Sequence, residues 1–213
     1  MKVWFTADLH LGHGNIIRHC HRPFLSAQEE EQARRDPQGR WRLSEETVRR
    51  HDEALLEAIN TEVGERDTLW VLGDFCWGGG LENARRYRKR IRCHQVHLVW
   101  GNHDQRAIQP LFGKVLEQGM IRIEGQEIWL NHYPMRSWNK SSHGSWHLYG
   151  HVHGRLATED AAHPSWLSRD VGVDACGYRP WSFEELQVYM APRVELFKQR
   201  LASLLPVEGE AEE

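Results

Sequence analysis

Short apolar runs in this chain end in a common way: β-branched and aromatic residues stop abruptly at glycine, aspartate, asparagine or histidine. Val3 to Ala7 runs into Asp8, Thr68 to Leu72 into Gly73-Asp74, and Gln95 to Trp100 into Gly101-Asn102-His103-Asp104. Glu127 to Asn131 runs into His132, and Ser145 to Tyr149 into Gly150-His151. Each run has strand composition and a turn-former at its end. Helical patterns lie between them. Ser44 predicts the N-cap of a helix to about Asn60, with Glu45 and Glu46 in its first turn and Val48, His51, Leu55, Leu56 and Ile59 on one stripe. A second helix is expected over Leu81 to Arg92, with Ala84, Tyr87 and Ile91 inward. Arg193 to Leu205, after Ala191-Pro192, predicts a terminal helix, whereas the charged residues 27–42 read as a surface excursion. The alternation predicts an α/β protein with polar loops at the strand ends.

A chain of 213 residues can bury one core and still carry a cleft. Residues 1–205 are expected to form a single domain, followed by an acidic, disordered tail over 206–213. The net charge of −3 provides no global basic field for nonspecific nucleic-acid binding. No apolar run approaches the roughly 20 residues of a membrane span, and the start of the chain lacks a secretory leader pattern, so the expected location is cytoplasmic. Cys20, Cys76, Cys93 and Cys176 are widely spaced and are expected to be reduced.

Chemistry is concentrated at the strand ends. Open α/β sheets place their sites just beyond strand C-termini, where loops converge. Asp8 and His10 are two apart, as are His151 and His153, so extended backbone would put each pair on one face. Glycines at 73, 101 and 150 allow sharp turns or close approaches beside the functional groups. Asp8, Asp74, Asn102, His10, His132, His151 and His153 together offer two carboxylates, one amide and four imidazoles. Such a set suits Mn, Fe or Zn better than Ca or Mg. Singly, each residue could instead cap a helix, tighten a turn or sit in the core.

The blocks Asp8-Leu9-His10, Gly73-Asp74, Gly101-Asn102-His103-Asp104, His132 and Gly150-His151-Val152-His153 resemble, in order, those of the calcineurin-like metallophosphoesterase superfamily. The strings Asp8 to Ile17, His132-Tyr133-Pro134-Met135 and Val171-Gly172-Val173-Asp174 resemble a subgroup of small bacterial and phage phosphoesterases. The resemblance implies a four-layer α/β/β/α sandwich of two mixed sheets flanked by helices. It implies two divalent transition-metal ions, Mn foremost, with Fe, Zn or Ni as alternatives. Asp8, His10 and His153 would hold one, Asn102, His132 and His151 the other, with Asp74 shared. His103 would face the substrate as general acid or phosphate stabiliser, with Asp104 orienting its ring. The implied reaction is hydrolysis of a phosphomonoester or phosphodiester by metal-activated hydroxide, the short chain tilting slightly toward diesters. A nuclease acting on DNA or RNA and a noncatalytic metal-binding module are the alternatives.

Beyond these residues, His13, Asn15, Arg18, Asn139 and His143 are weaker candidates for the substrate pocket, and Trp77 and Trp138 for contact with an apolar leaving group. The arginine-rich run 85–92 reads as the solvated face of a helix rather than a nucleic-acid surface. A Ser-His-Asp hydrolase is disfavoured, because no Gly-x-Ser-x-Gly elbow is present.

Overall fold

The computed structural model describes residues 1–37 and 41–204; the expected acidic tail, 206–213, lies outside the described residues. In chain order the elements are β1 (Val3–Thr6), α1 (Gly14–His19), α2 (Ala27–Arg35), α3 (Glu45–Glu62), β2 (Thr68–Val71), α4 (Gly80–Arg88), β3 (Gln95–Val99) and β4 (Val115–Leu116). There follow β5 (Gly119–Ile123), β6 (Gln126–Leu130), β7 (Trp146–Tyr149), α5 (Ala157–Ala162), β8 (Ser168–Asp170), β9 (Trp181–Ser182) and α6 (Phe183–Leu204).

The strands form two mixed sheets. One has the order β4-β3-β2-β1-β9, parallel except for β9; the other has the order β5-β6-β7-β8, parallel except for β5. Side-chain alternation explains the layering. Trp4, Leu69, Val71, Val96 and Leu98 face Leu55, Leu56 and Ile59 of α3 and Ala84 and Tyr87 of α4. The alternate residues Phe5, Trp70, Leu72 and Val99 face Ile128, Leu130, Trp146 and Leu148 of the second sheet, with Phe183, Leu186 and Met190 of α6. The two sheets therefore pack face to face with helices flanking them, as the resemblance implied.

Register decides where the site falls. Thr6 pairs with Val71, and Val71 with Leu98, so β1, β2 and β3 release their loops at one edge. Leu130 pairs with Leu148, and Tyr149 with Asp170, so the second sheet does the same. A parallel bridge between Ala7 and Gly172 joins the two sheets there.

Several elements differ from expectation. Residues 27–35 are helical, because Ser26 and Glu29 form a reciprocal capping box that offsets the cost of exposing a charged helix. The terminal helix begins at Phe183 rather than Arg193, started by another box in which Ser182 N donates to Glu185 Oε2 and Glu185 N to Ser182 Oγ. Pro192 is tolerated within it because it lies exposed, one turn after the exposed Val188, where water can satisfy the freed carbonyl. The helix expected to reach Arg92 stops at Arg88, whose guanidinium donates to the carbonyls of Ile91, Cys93 and His94. Strands β4, β5, β8 and β9 were not foreseen.

Candidate metal centre

Local backbone brings the strand-end residues inward. Asp8, His10, Asp74, His151 and His153 all have positive φ, from 49° to 71°. For residues with a Cβ this left-handed region costs roughly 1–3 kcal/mol each, so the surrounding structure must impose it. The expectation that Asp8/His10 and His151/His153 share faces through extended backbone is therefore corrected: tight left-handed turns aim them. Close approach also demands glycine. A Cβ at Gly101 would lie 2.2 Å from Asp74 Oδ1, and one at Gly73 (φ 94°) 2.2 Å from His132 Nδ1.

These turns gather the residues. Ligand-capable atoms of Asp8, His10 and His153 lie within 4.8 Å of one another, as do those of Asp8, Asp74 and His132. Asp74 Oδ2 stands 3.3 Å from His10 Nε2 and 3.5 Å from His132 Nε2. Asn102 Oδ1 is 3.0 Å from both His132 Nε2 and His151 Nδ1. His132 uses its other nitrogen, Nδ1, at 2.8 Å from the carbonyl of Leu72, which fixes the ring. His10 Nε2 is buried and has no hydrogen-bond partner among the described residues.

Electrostatics fit a cation site. Burial pushes the Asp8 carboxyl well above its usual range, against the pull of His153, and also raises Asp74. Burial drives His10 far down, and lowers His132 and His151, so these rings are neutral with lone pairs available. Buried carboxylates disfavoured as anions beside neutral imidazoles form a set that a divalent cation would satisfy better than protons do.

His103 is exposed, its ring centroid 5.4 Å from that of His10, and its backbone N–H donates to Asp74 Oδ1 at 2.9 Å. Asp104 does not have the geometry expected of it. Its two carboxylate oxygens accept from the N–H groups of Asp74, Phe75 and Gly101 at 2.9 Å each. It therefore ties the β2 and β3 loops together instead of orienting the His103 ring.

A buried support lies behind the first strand loop, built on Arg22, Asp52 and Asp174, to which the sequence alone assigns no role. The Arg22 guanidinium, 1% exposed, donates to the carbonyls of Asp8 (2.8 Å) and Leu9 (3.3 Å), to both oxygens of Asp174 (2.8 and 2.7 Å), and contacts His51 Nε2 (2.7 Å). His51 Nδ1 lies 2.9 Å from Asp52, which accepts from Gly12 N and the Tyr87 hydroxyl. Asp174 Oδ2 reaches His153 Nδ1 at 2.6 Å. Against the penalty of burial, that hydrogen bond raises His153 to about 10, so without a metal ion this ring, unlike His10, His132 and His151, holds a proton that a bound cation would displace. The Val171-Gly172-Val173-Asp174 string was the available signal, but it named no partner.

The weaker candidates separate. His13 is half-buried, with Nδ1 3.4 Å from His10 Nδ1, and its ring stacks on Trp77. Arg18 stacks on Trp41 and donates to its carbonyl. The Asn139 carbonyl accepts from Ser145, His143 closes a short 3-10 turn, and Trp138 packs on His147, so no contact among the described residues places them with the cluster. Asn15 is exposed at the start of α1. The arginine run is engaged internally: Arg85 pairs with Glu82, Arg90 with Glu53, and Arg92 donates to the Asn60 carbonyl. All four cysteines are free.

Residues 1–196 match the calcineurin-like phosphoesterase family. An uncharacterized protein of Methanocaldococcus jannaschii is 24% identical over 184 residues, covering 86% of this chain and 88% of its own length. The gene 66 protein of Mycobacterium phage D29 is 26% identical, over 82% of this chain and 88% of its own. A solved protein of unknown function from Aquifex aeolicus superposes with a TM-score of 0.62 at 22% identity, over 88% of this chain and 98% of that one, a likeness of fold. The chain thus belongs to the calcineurin-like phosphoesterases and is a metal-dependent phosphoester hydrolase.

Proposed function

We propose that the strand-end cluster is a dinuclear centre in which Asp8, His10 and His153 hold one ion, Asn102, His132 and His151 the other, and Asp74 serves both. The observation that carries this reading is Asp74 Oδ2, which faces His10 Nε2 and His132 Nε2 at 3.3 and 3.5 Å, with His10 Nε2 making no hydrogen bond among the described residues. Two divalent cations bound there would neutralise phosphoryl charge and generate hydroxide near neutral pH. The mixed oxygen and nitrogen donors suit a transition metal, with Mn foremost, as the resemblance implies, and Fe, Zn or Ni as alternatives.

The chain's own groups supply the rest. Asp74 Oδ1 accepts from His103 N, which leaves Oδ2 free to face both donor sets. His103, at the exposed mouth, gives a proton to the departing oxygen. Asp104 and Arg22 hold the loops that carry Asp74 and Asp8 through the backbone bonds described above. Substrates are phosphomonoesters or phosphodiesters. We place the protein in the cytoplasm; no helix among the described residues is long and apolar enough to cross a membrane.

The test is reconstitution. Metal-stripped protein reloaded with Mn, Fe, Ni, Zn or Mg is assayed on p-nitrophenyl phosphate, its bis-ester, cyclic nucleotides and oligonucleotides. Transition metals are expected to restore hydrolysis, and its absence under every metal would overturn the proposal. Salt-sensitive binding and cleavage of oligonucleotides in preference to small esters would make the protein a nuclease.

A further inference from the structure

We infer that Trp77 is a stacking subsite beside the metal centre, selecting phosphoesters that carry a planar aromatic group, foremost a nucleobase. The inference rests on the phosphoester-hydrolase reading of the same site. Large hydrophobic residues exposed among the described residues are Met1, Trp77, Tyr133, Val188 and Leu196, and Trp77 is 43% exposed. An indole left half in water at a reaction centre gains by covering its open face.

Trp77 is exposed yet held in place. Its backbone N–H donates to the Leu11 carbonyl at 2.9 Å, and its own carbonyl accepts from Asn83 Nδ2 at 3.1 Å. One ring face lies on His13, with centroids 3.9 Å apart and planes 6° from parallel. The exposure therefore belongs to what His13 leaves uncovered. A ring already fixed loses little freedom when a ligand stacks on it, so the contact energy is retained as affinity.

Position and access complete the argument. The Trp77 centroid is 5.0 Å from that of His103, the proposed proton donor. A planar group on Trp77 therefore adjoins the place where the phosphoester oxygen departs. Gly78 follows directly, and an added Cβ there would meet nothing within 4 Å, so the backbone beside the exposed indole is uncrowded. Tyr133, at the other end of the cluster, is tilted 60° against His151 and 75° against His132, with no parallel ring partner among the described residues. Trp77 is thus the better platform.

Base-on-aromatic stacking is worth about 1–3 kcal/mol per base, equivalent to about 5- to 150-fold in affinity. The test compares matched esters on the Mn-reloaded full chain: adenosine 5′-monophosphate with glycerol 3-phosphate, and adenosine 2′,3′-cyclic phosphate with glycerol 1,2-cyclic phosphate. Trp77→Ala is expected to reduce the ring-bearing over ring-free preference in kcat/KM by about 5- to 150-fold, chiefly through KM, and Trp77→Phe to retain most of it. Saturation-transfer NMR on adenosine alone gives a readout independent of turnover: its base protons are expected to be saturated by the wild type and far less by Trp77→Ala. An equal effect of Trp77→Ala on both ester types, or a wild type that turns over only the ring-free esters, would overturn the subsite. If none of the four is hydrolysed, p-nitrophenyl phosphate and its bis-ester test the hydrolase reading separately, while adenosine saturation still decides the subsite.

Discussion

His153 Nδ1 lies 2.6 Å from Asp174 Oδ2, and the same carboxylate is gripped by the buried guanidinium of Arg22. One charge pair thus couples the turn after β7 to the turn after β1, because Arg22 also holds the carbonyls of Asp8 and Leu9. In the proposed centre, Asp174 fixes which His153 nitrogen keeps its lone pair for a metal ion.

Asp174→Asn should therefore weaken metal binding while the chain stays folded. Loss of such a carboxylate–histidine partner typically lowers metal affinity about 10- to 100-fold. Competition against a graded series of chelators measures this. Unchanged affinity would remove Asp174 from the metal-positioning role.

His103→Asn should lower turnover by about 10²- to 10⁴-fold, the usual worth of a positioned proton donor. Metal content should stay near wild type, because the contact with Asp74 comes from the His103 backbone N–H, which the substitution keeps. Elemental analysis beside steady-state kinetics separates the two, and loss of metal in the variant would contradict the division of labour.

Acid stability should depend on Glu29. Against the penalty of its burial, the Thr47 hydroxyl and the N–H groups of Ser26 and Ser44 hold Glu29 down at about 2, from an ordinary 4.5. A carboxyl depressed on folding adds stability that is complete above its unfolded value and lost as pH falls through its folded one. Wild type should thus lose this contribution between about pH 4.5 and 2. Glu29→Gln should be less stable at neutral pH and show a flatter decline in that window, as measured by urea unfolding. Parallel curves would contradict the assignment.

The strand-end residues are legible because each block is local: an apolar run that stops at a turn-former or directly at a donor group. Asp8, Asp74, Asn102, His132 and His151 follow this rule, and the sheet registers bring them to one edge. Arg22 was not legible, because it sits just past a short helix and its partner Asp174 is 152 residues away. His51 looked like one more residue on an amphipathic stripe. Asp104 was misread because adjacency to His103 suggested a side-chain partner, whereas its oxygens are taken by backbone N–H groups 30 residues earlier and 3 residues earlier. Helix α2 carried a readable Ser-x-x-Glu signature that its charged composition obscured. The strands β4 and β9, two residues each, are too short to show any periodicity.

The sharing of Asp74 is tested most directly by calorimetric titration of metal-stripped protein with Mn. Wild type should bind two ions per chain, and Asp74→Asn, which removes the charge facing both donor sets, should weaken both sites together. Uptake of a single ion by wild type, or an Asp74→Asn chain that loses one ion and keeps the other at full affinity, would contradict the account.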